Sequence, residues 1–257
     1  MKIFFDQKEI SCLDDALDRI KDKQGYDSDE FESSTCSTVP LISLLKHGGK
    51  VWSSIVGEFA GNSCEAHLEY EVKPPQGNSK APSHTDVMLI DGSRAIAIEA
   101  KWTEPRYEEV GEWLNKGSGP QNRRKVMNGW VSLLQKHTNK VLKIDDFSKT
   151  VYQMVHRAAS ACTFGNPAMA YLQFSPLPCG SPPDNGQLKN DLKNFYDLLG
   201  CPTGFPFFLI EVEAKEKPAF GRIKGLPKGS ASTAKTVKNA LRDGPLFDFT
   251  GYHLYRI

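Results

Sequence analysis

Asp86, Glu99 and Lys101 are the residues whose types and spacing offer chemistry. Two short apolar runs, residues 87–90 and 95–98, flank Asp91-Gly92, a dipeptide that favours a tight hairpin turn. Residues i and i+2 share a face of a strand, so Glu99 and Lys101 point together while Ala100 points away. With Gly92-Ser93 as the loop, Asp86 lies directly opposite Glu99. With Asp91-Gly92 as the loop, Asp86 pairs instead with Ala97, one step along the same face from Glu99. Either register gathers Asp86, Glu99 and Lys101 at the open end of the hairpin. Two carboxylates held close repel unless a cation sits between them, and such oxygen ligands suit Mg²⁺. Ala95 to Ile98 is apolar on both faces, as in a strand buried from both sides. Ionised groups at its end are costly unless paired or bound to metal. Asp91 reads as a turn residue rather than a ligand.

The pattern Asp-x(12)-Glu-x-Lys on adjacent strands resembles the core motif of the PD-(D/E)xK nuclease superfamily, the restriction-endonuclease-like fold. That resemblance implies that Asp86 and Glu99 bind Mg²⁺, with Mn²⁺ able to substitute. It also implies that the Ala100 carbonyl adds a ligand and that Lys101 helps to activate the attacking water. Thr85 stands where the family often has Pro, a position that varies. The first helix of that core often adds an acidic residue near the metal. Its counterpart here is Glu58, with Glu65 as rival. In several such families a helix after the Glu-x-Lys strand brings a Gln or a basic residue to the active site. Gln153 matches, with Arg157 as a phosphate contact. Arg123 and Arg124 on a basic helix end, and Lys224 and Lys228 further on, complete the expected nucleic-acid contacts.

The elements that must position these residues follow from periodicity and punctuation. Ser11 caps a short amphipathic helix to about Lys21, and residues 24–37 read as an acidic, Ser-rich loop. Residues 39–60 read as helix broken at Gly48-Gly49, and residues 66–72 as a strand. Helices are expected over 121–137, 148–163 and 187–199, and strands over 168–174, 205–212 and 251–257. The predicted fold is α/β of the α+β type, with a central mixed sheet of four to six strands flanked by helices. An acidic segment, 1–37, would pack on or near a nuclease-like domain, 38–257, that carries a flexible basic segment at 215–242.

Composition bounds the rest. The net charge of +1 hides an asymmetry, since residues 1–36 are acidic while 215–242 hold eight Lys and Arg against Glu216 alone. The six cysteines are scattered without a CxxC pair, which suggests neither zinc nor a disulfide framework. No apolar run is long enough to span a bilayer and no leader is evident, so a cytoplasmic protein without membrane contact is expected. P-loop, GxSxG, HExxH and GxGxxG patterns are absent. The expectation is a Mg²⁺-dependent DNA endonuclease of restriction or antiphage-defence type, acting on nucleic acid and with a homodimer as an option. The competing expectation is a catalytically silent module for nucleic acid or protein that keeps the fold. Glycoside hydrolysis by a carboxylate pair fits less well, because Lys101 follows Glu99 so closely.

Overall fold

The computed structural model of the chain describes residues 1–20, 29–61, 63–78, 82–117, 119–176 and 185–257. Part of the expected acidic loop, most of the connection before residue 186, and Cys179 lie outside them. The strands are β1 (Lys2–Phe5), β2 (Lys8–Glu9), β3 (Glu65–Val72), β4 (Ser83–Asp91), β5 (Arg94–Lys101), β6 (Asn166–Ser175), β7 (Phe207–Glu216) and β8 (Phe247–Arg256). They form one mixed sheet in the order β2-β1-β3-β4-β5-β6-β7-β8. The fold is α/β, as expected, but the sheet has eight strands rather than four to six. The two beyond six lie at one edge, where β1 joins β3 in parallel and β2 joins β1 in antiparallel fashion, whereas β8, antiparallel to β7, is the strand expected at 251–257.

The centre of the sheet is a meander. β3, β4 and β5 are successively antiparallel, and β6 then runs parallel to β5. A parallel neighbour requires a long crossover, and here it is made by α4 (Val110–Asn115), α5 (Pro120–Leu134) and α6 (Tyr152–Ala161). A second crossover, through α7 (Asn185–Leu198), sets β7 parallel to β6. These four helices cover one face of the sheet, packing Val126, Trp130, Val155 and Leu192 on Ala95, Ala97 and Met169.

The opposite face is covered by α1 (Asp14–Leu17), α2 (Thr38–His47), α3 (Gly49–Phe59) and α9 (Ala231–Asp243). The break expected at Gly48-Gly49 separates α2 from α3, and Gly49 takes a φ of 48° that suits glycine. Phe5, Leu17 and Phe31 carry the N-terminal segment into this core. Residues 215–242, expected as flexible, contain the end of β7, α8 (Pro218–Gly221) and α9. Phe220, Ile223, Val237 and Leu241 reach the core from there, which is why the segment is folded. Lys238 is buried among them, 2.5 Å from Asp29. Among the described residues no helix is long and apolar enough to cross a membrane, and the five cysteines there are unpaired.

Candidate active site

Asp91 pairs with Arg94, so Gly92-Ser93 is the loop of the β4–β5 hairpin. Of the two registers open to the sequence, this is the one that sets Asp86 level with Glu99. The ladder ends at Val87 and Ile98. Beyond it the Asp86 side chain takes over, Oδ2 accepting from the Ala100 amide at 2.7 Å. Ala100 itself points into the opposite core, as strand alternation demands. Glu99 is 2% exposed and has both oxygens engaged. Oε1 accepts from Lys101 Nζ at 2.9 Å, and Oε2 accepts from Arg157 Nε on α6.

The charges around this hairpin end are unbalanced. Burial pushes the Glu99 carboxyl up, but the Arg157 and Lys101 cations outweigh it and hold Glu99 below its ordinary value. Burial, then Glu99, then Glu69 drive the Asp86 carboxyl well above its ordinary value, and Arg157 and Lys101 do not offset them. Burial disfavours the Lys101 ammonium, yet Glu99, Asp86 and Glu104 reverse that and raise it. Lys101 is therefore a firm cation rather than a ready base. Glu30, raised by burial and then by Glu104, also feels Glu99 and Lys101. Glu30, Asp86, Glu99 and Glu104 thus all bear on Lys101, and Glu69 bears on Asp86.

Glu69 was not anticipated. It lies on β3 between the pairs Leu68–Val87 and Tyr70–Thr85, at the level of Asp86. It is buried, with φ at 51°, a conformation that non-glycine residues seldom adopt. The inward alternation of β3 switches face there: Ala66 and Leu68 pack in one core, Val72 in the other. Glu104 and Glu30 come from segments that read as loops. Glu104 accepts from the Trp102 amide at 2.9 Å and from the Ser37 amide, which ties the strand exit to the N-terminal segment.

Two expected roles need correction. Glu58 is exposed, and its Oε1 accepts from Tyr252 on β8 at 2.9 Å. Helix α3 ends at the turn side of the hairpin, where the Phe59 carbonyl accepts from Arg94. Lys101 lies seven strand residues from Arg94, roughly 20 Å away, so Glu58 cannot join the cluster. Its rival Glu65 pairs with Ile90 at that same end. Arg157 is not a surface phosphate contact. It is buried and spends its guanidinium on Glu99, on Ser83 Oγ at 2.8 Å and on His156 Nδ1 at 3.2 Å. Burial, then Arg157, hold His156 well below the usual imidazole range, so it stays neutral and accepts that bond.

The remaining expected residues lie around the cluster. Gln153, on α6, lines a pocket that Lys101 also lines. Arg123 donates to the Trp113 carbonyl at 2.9 Å and lies over that indole ring. Arg124 pairs with Asp145 at 3.3 Å, and Lys224 with Glu216 at 2.6 Å. Lys228 is exposed.

The donor set suits a hard divalent ion in type and in charge: carboxylates and one backbone carbonyl at a net negative hairpin end. Among the described residues no three His, Cys, Asp or Glu side chains are grouped ready for a metal. Both Glu99 oxygens hold cations and Asp86 Oδ2 holds an amide. Glu99 would have to release one partner to ligate. No curated protein matches the chain, and no solved structure does. One family model, described as a domain of unknown function (DUF6946), matches residues 17–221, a span that takes in the hairpin and the whole carboxylate cluster. The chain therefore belongs to the DUF6946 family.

Proposed function

We propose that this protein is a Mg²⁺-dependent nuclease that hydrolyses phosphodiester bonds, with DNA as the preferred substrate. The observation that carries the reading is the alignment of Asp86 with Glu99 across the β4–β5 register. Lys101 stands on the same face, within a cluster where carboxylates outnumber cations. The order of elements supports it as well. Helix α3, the antiparallel β3–β4–β5 meander, a crossover ending in α6, and parallel β6 follow the sequence of parts expected of a restriction-endonuclease-like core.

Asp86, Glu99 and the Ala100 carbonyl would hold the ion. When bound, Mg²⁺ polarises a phosphoryl oxygen and makes coordinated water acidic. Lys101 presents an ammonium to the charge that builds on the phosphoryl oxygens in the transition state. It is fixed by Glu99 and by the Tyr107 ring, 5.0 Å from its centroid. Its raised proton affinity makes it an orienting and charge-balancing group, and a second carboxylate is the better proton acceptor. Arg157 positions Glu99 from behind. Glu69 replaces Glu58 as the additional carboxylate beside Asp86.

One observation favours the silent-module reading: Glu99 is clamped by two cations. Calorimetric titration with Mg²⁺ and Mn²⁺ separates the two, since a module without metal affinity gives no heat. The function itself is tested by incubating the protein with plasmid, linear duplex and single-stranded DNA, and with RNA, across a Mg²⁺ titration. Cleavage is expected in the wild type and not in Lys101→Met. Equal cleavage by both would remove the assignment.

A further inference from the structure

The two edges of the sheet are finished differently. At one edge β2 is two residues long, and its Lys8 and Glu9 are both charged and exposed. Short length and charge are common guards against pairing with another chain. At the other edge β8 runs for ten residues and pairs, among the described residues, with β7 alone. A bulge shifts its register opposite Glu213 and Ala214 and interrupts its first half. The stretch Gly251-Tyr252-His253-Leu254-Tyr255-Arg256 that follows has no bulge, Pro, Lys or acidic residue. Its Tyr255 is 36% exposed.

The backbone phase of this edge follows from two bonds. The Ile257 amide donates to the Phe207 carbonyl, so Ile257, Tyr255, His253 and Gly251 turn their backbone groups toward β7. The Met169 amide donates to the Pro206 carbonyl, which gives β7 the same phase from its β6 side. Tyr252, Leu254 and Arg256 therefore direct their N–H and C=O groups away from the sheet. We infer that β8 pairs there with β8 of a second copy of this chain, antiparallel and about a two-fold axis at Leu254, so that two sheets become one. In this register Leu254 meets the partner's Leu254 and Tyr252 meets the partner's Arg256, so every outward group from Tyr252 to Arg256 is bonded. Sliding the strands by one pair leaves Arg256 against the bulge or Tyr252 beyond the end of β8. The charges agree as well. The Tyr252 hydroxyl bonds the exposed Glu58 at 2.9 Å, and the exposed Arg256 is brought to that pair. On the opposite face His253 lies against the partner's Tyr255. β5, β6 and β7 run parallel, so the two-fold axis turns the two Lys101 ends in opposite directions. Each copy would act at its own site, and the inference stands on β8 rather than on the nuclease reading.

Introduced cysteines test the register. His253 and the partner's Tyr255 form a non-hydrogen-bonded pair, whose Cα atoms lie about 4.5 Å apart, within the range that a disulfide spans. The protein carrying both His253→Cys and Tyr255→Cys is therefore expected to oxidise to a covalent dimer. Under the same mild oxidation the wild type and the two single variants are expected to stay uncrosslinked. Sedimentation over about 1–100 µM, a range suited to a small interface, is expected to show the wild type passing from one chain to two. Leu254→Pro removes an outward amide and no bond to β7, so it should stay folded and associate at least about tenfold more weakly. The cysteine result decides independently of how well that proline is tolerated. A wild type that stays monomeric throughout would overturn the inference. So would a folded Leu254→Pro protein that dimerises as the wild type does, or a double cysteine variant that does not crosslink. Crosslinking of either single variant at equal yield would place the axis elsewhere and overturn it too.

Discussion

At the turn end of the β4–β5 hairpin, Asp91 accepts from the Gly61 amide at 2.9 Å and from Ser63 Oγ at 3.0 Å. Those bonds hold its carboxyl below the ordinary range. Nine strand residues span β4, and near its other end Asp86 meets the opposite circumstances: burial, Glu99 and Glu69 push its carboxyl well up. One aspartate joins the α3–β3 connection to the sheet and is satisfied there. The other is crowded by like charges, with its Oδ2 bonded to one amide. A stable fold has no use for the second arrangement by itself, and a bound cation would relieve it. The contrast separates a carboxylate bonded into a connection from one that, on the proposed reading, serves chemistry, although both flank the same apolar strand.

The sharpest way to break this contrast is at Arg157. If it holds Glu99 in the core, Arg157→Met strands a buried carboxylate with Lys101 alone. Such a loss costs about 3–5 kcal/mol and lowers the melting temperature by on the order of 10 °C. A surface phosphate contact would leave melting unmoved and weaken only DNA binding. Next in size is the choice of the additional carboxylate. Glu69→Gln should weaken Mg²⁺ binding about tenfold in calorimetry, while Glu58→Gln, which disturbs only the Tyr252 bond, should leave it unchanged.

The two aspartates then predict shifts of opposite sign. In EDTA, Asp86→Asn keeps an acceptor for the Ala100 amide but removes the repulsion. Melting should therefore rise by about 3 °C, roughly what 1 kcal/mol is worth in a chain of this size. Added Mg²⁺ should raise the melting temperature of the wild type and not that of Asp86→Asn. Asp91→Ala should lower melting by a smaller amount. Because the folded Asp91 carboxyl lies below its unfolded value of 3.8, its stabilisation is present above that pH and is lost as the pH falls through the folded value. The Asp91→Ala deficit should accordingly shrink in acid.

The hairpin was legible because its determinants are local. Asp91-Gly92 marks the turn, strand alternation places Glu99 with Lys101, and either register brings Asp86 to them. The edges of the sheet were less so: β1 pairs with β3 across some sixty residues, a contact that no local pattern announces. Glu58 was misplaced because the side of the hairpin on which α3 ends depends on how the 60–64 connection enters β3. Glu69 was overlooked for a related reason, since its role depends on pairing between β3 and β4 and on a local backbone reversal. The β3–β4 register that sets Glu69 level with Asp86 is not fixed by the β4–β5 turn. Arg157 was recognised on the right helix face, but periodicity alone does not say that this face is buried against a carboxylate. The folded state of 215–242 was hidden by its Gly, Ser and Lys content, while Val237 and Leu241 were the signal that it docks.

The central claim is tested most directly by a matched pair of variants, Asp86→Asn and Asp91→Asn, assayed with the wild type for Mg²⁺-dependent DNA cleavage under identical conditions. The account predicts that Asp86→Asn loses cleavage by at least about a hundredfold, while Asp91→Asn cleaves as the wild type does. Equal cleavage by the two variants would contradict it.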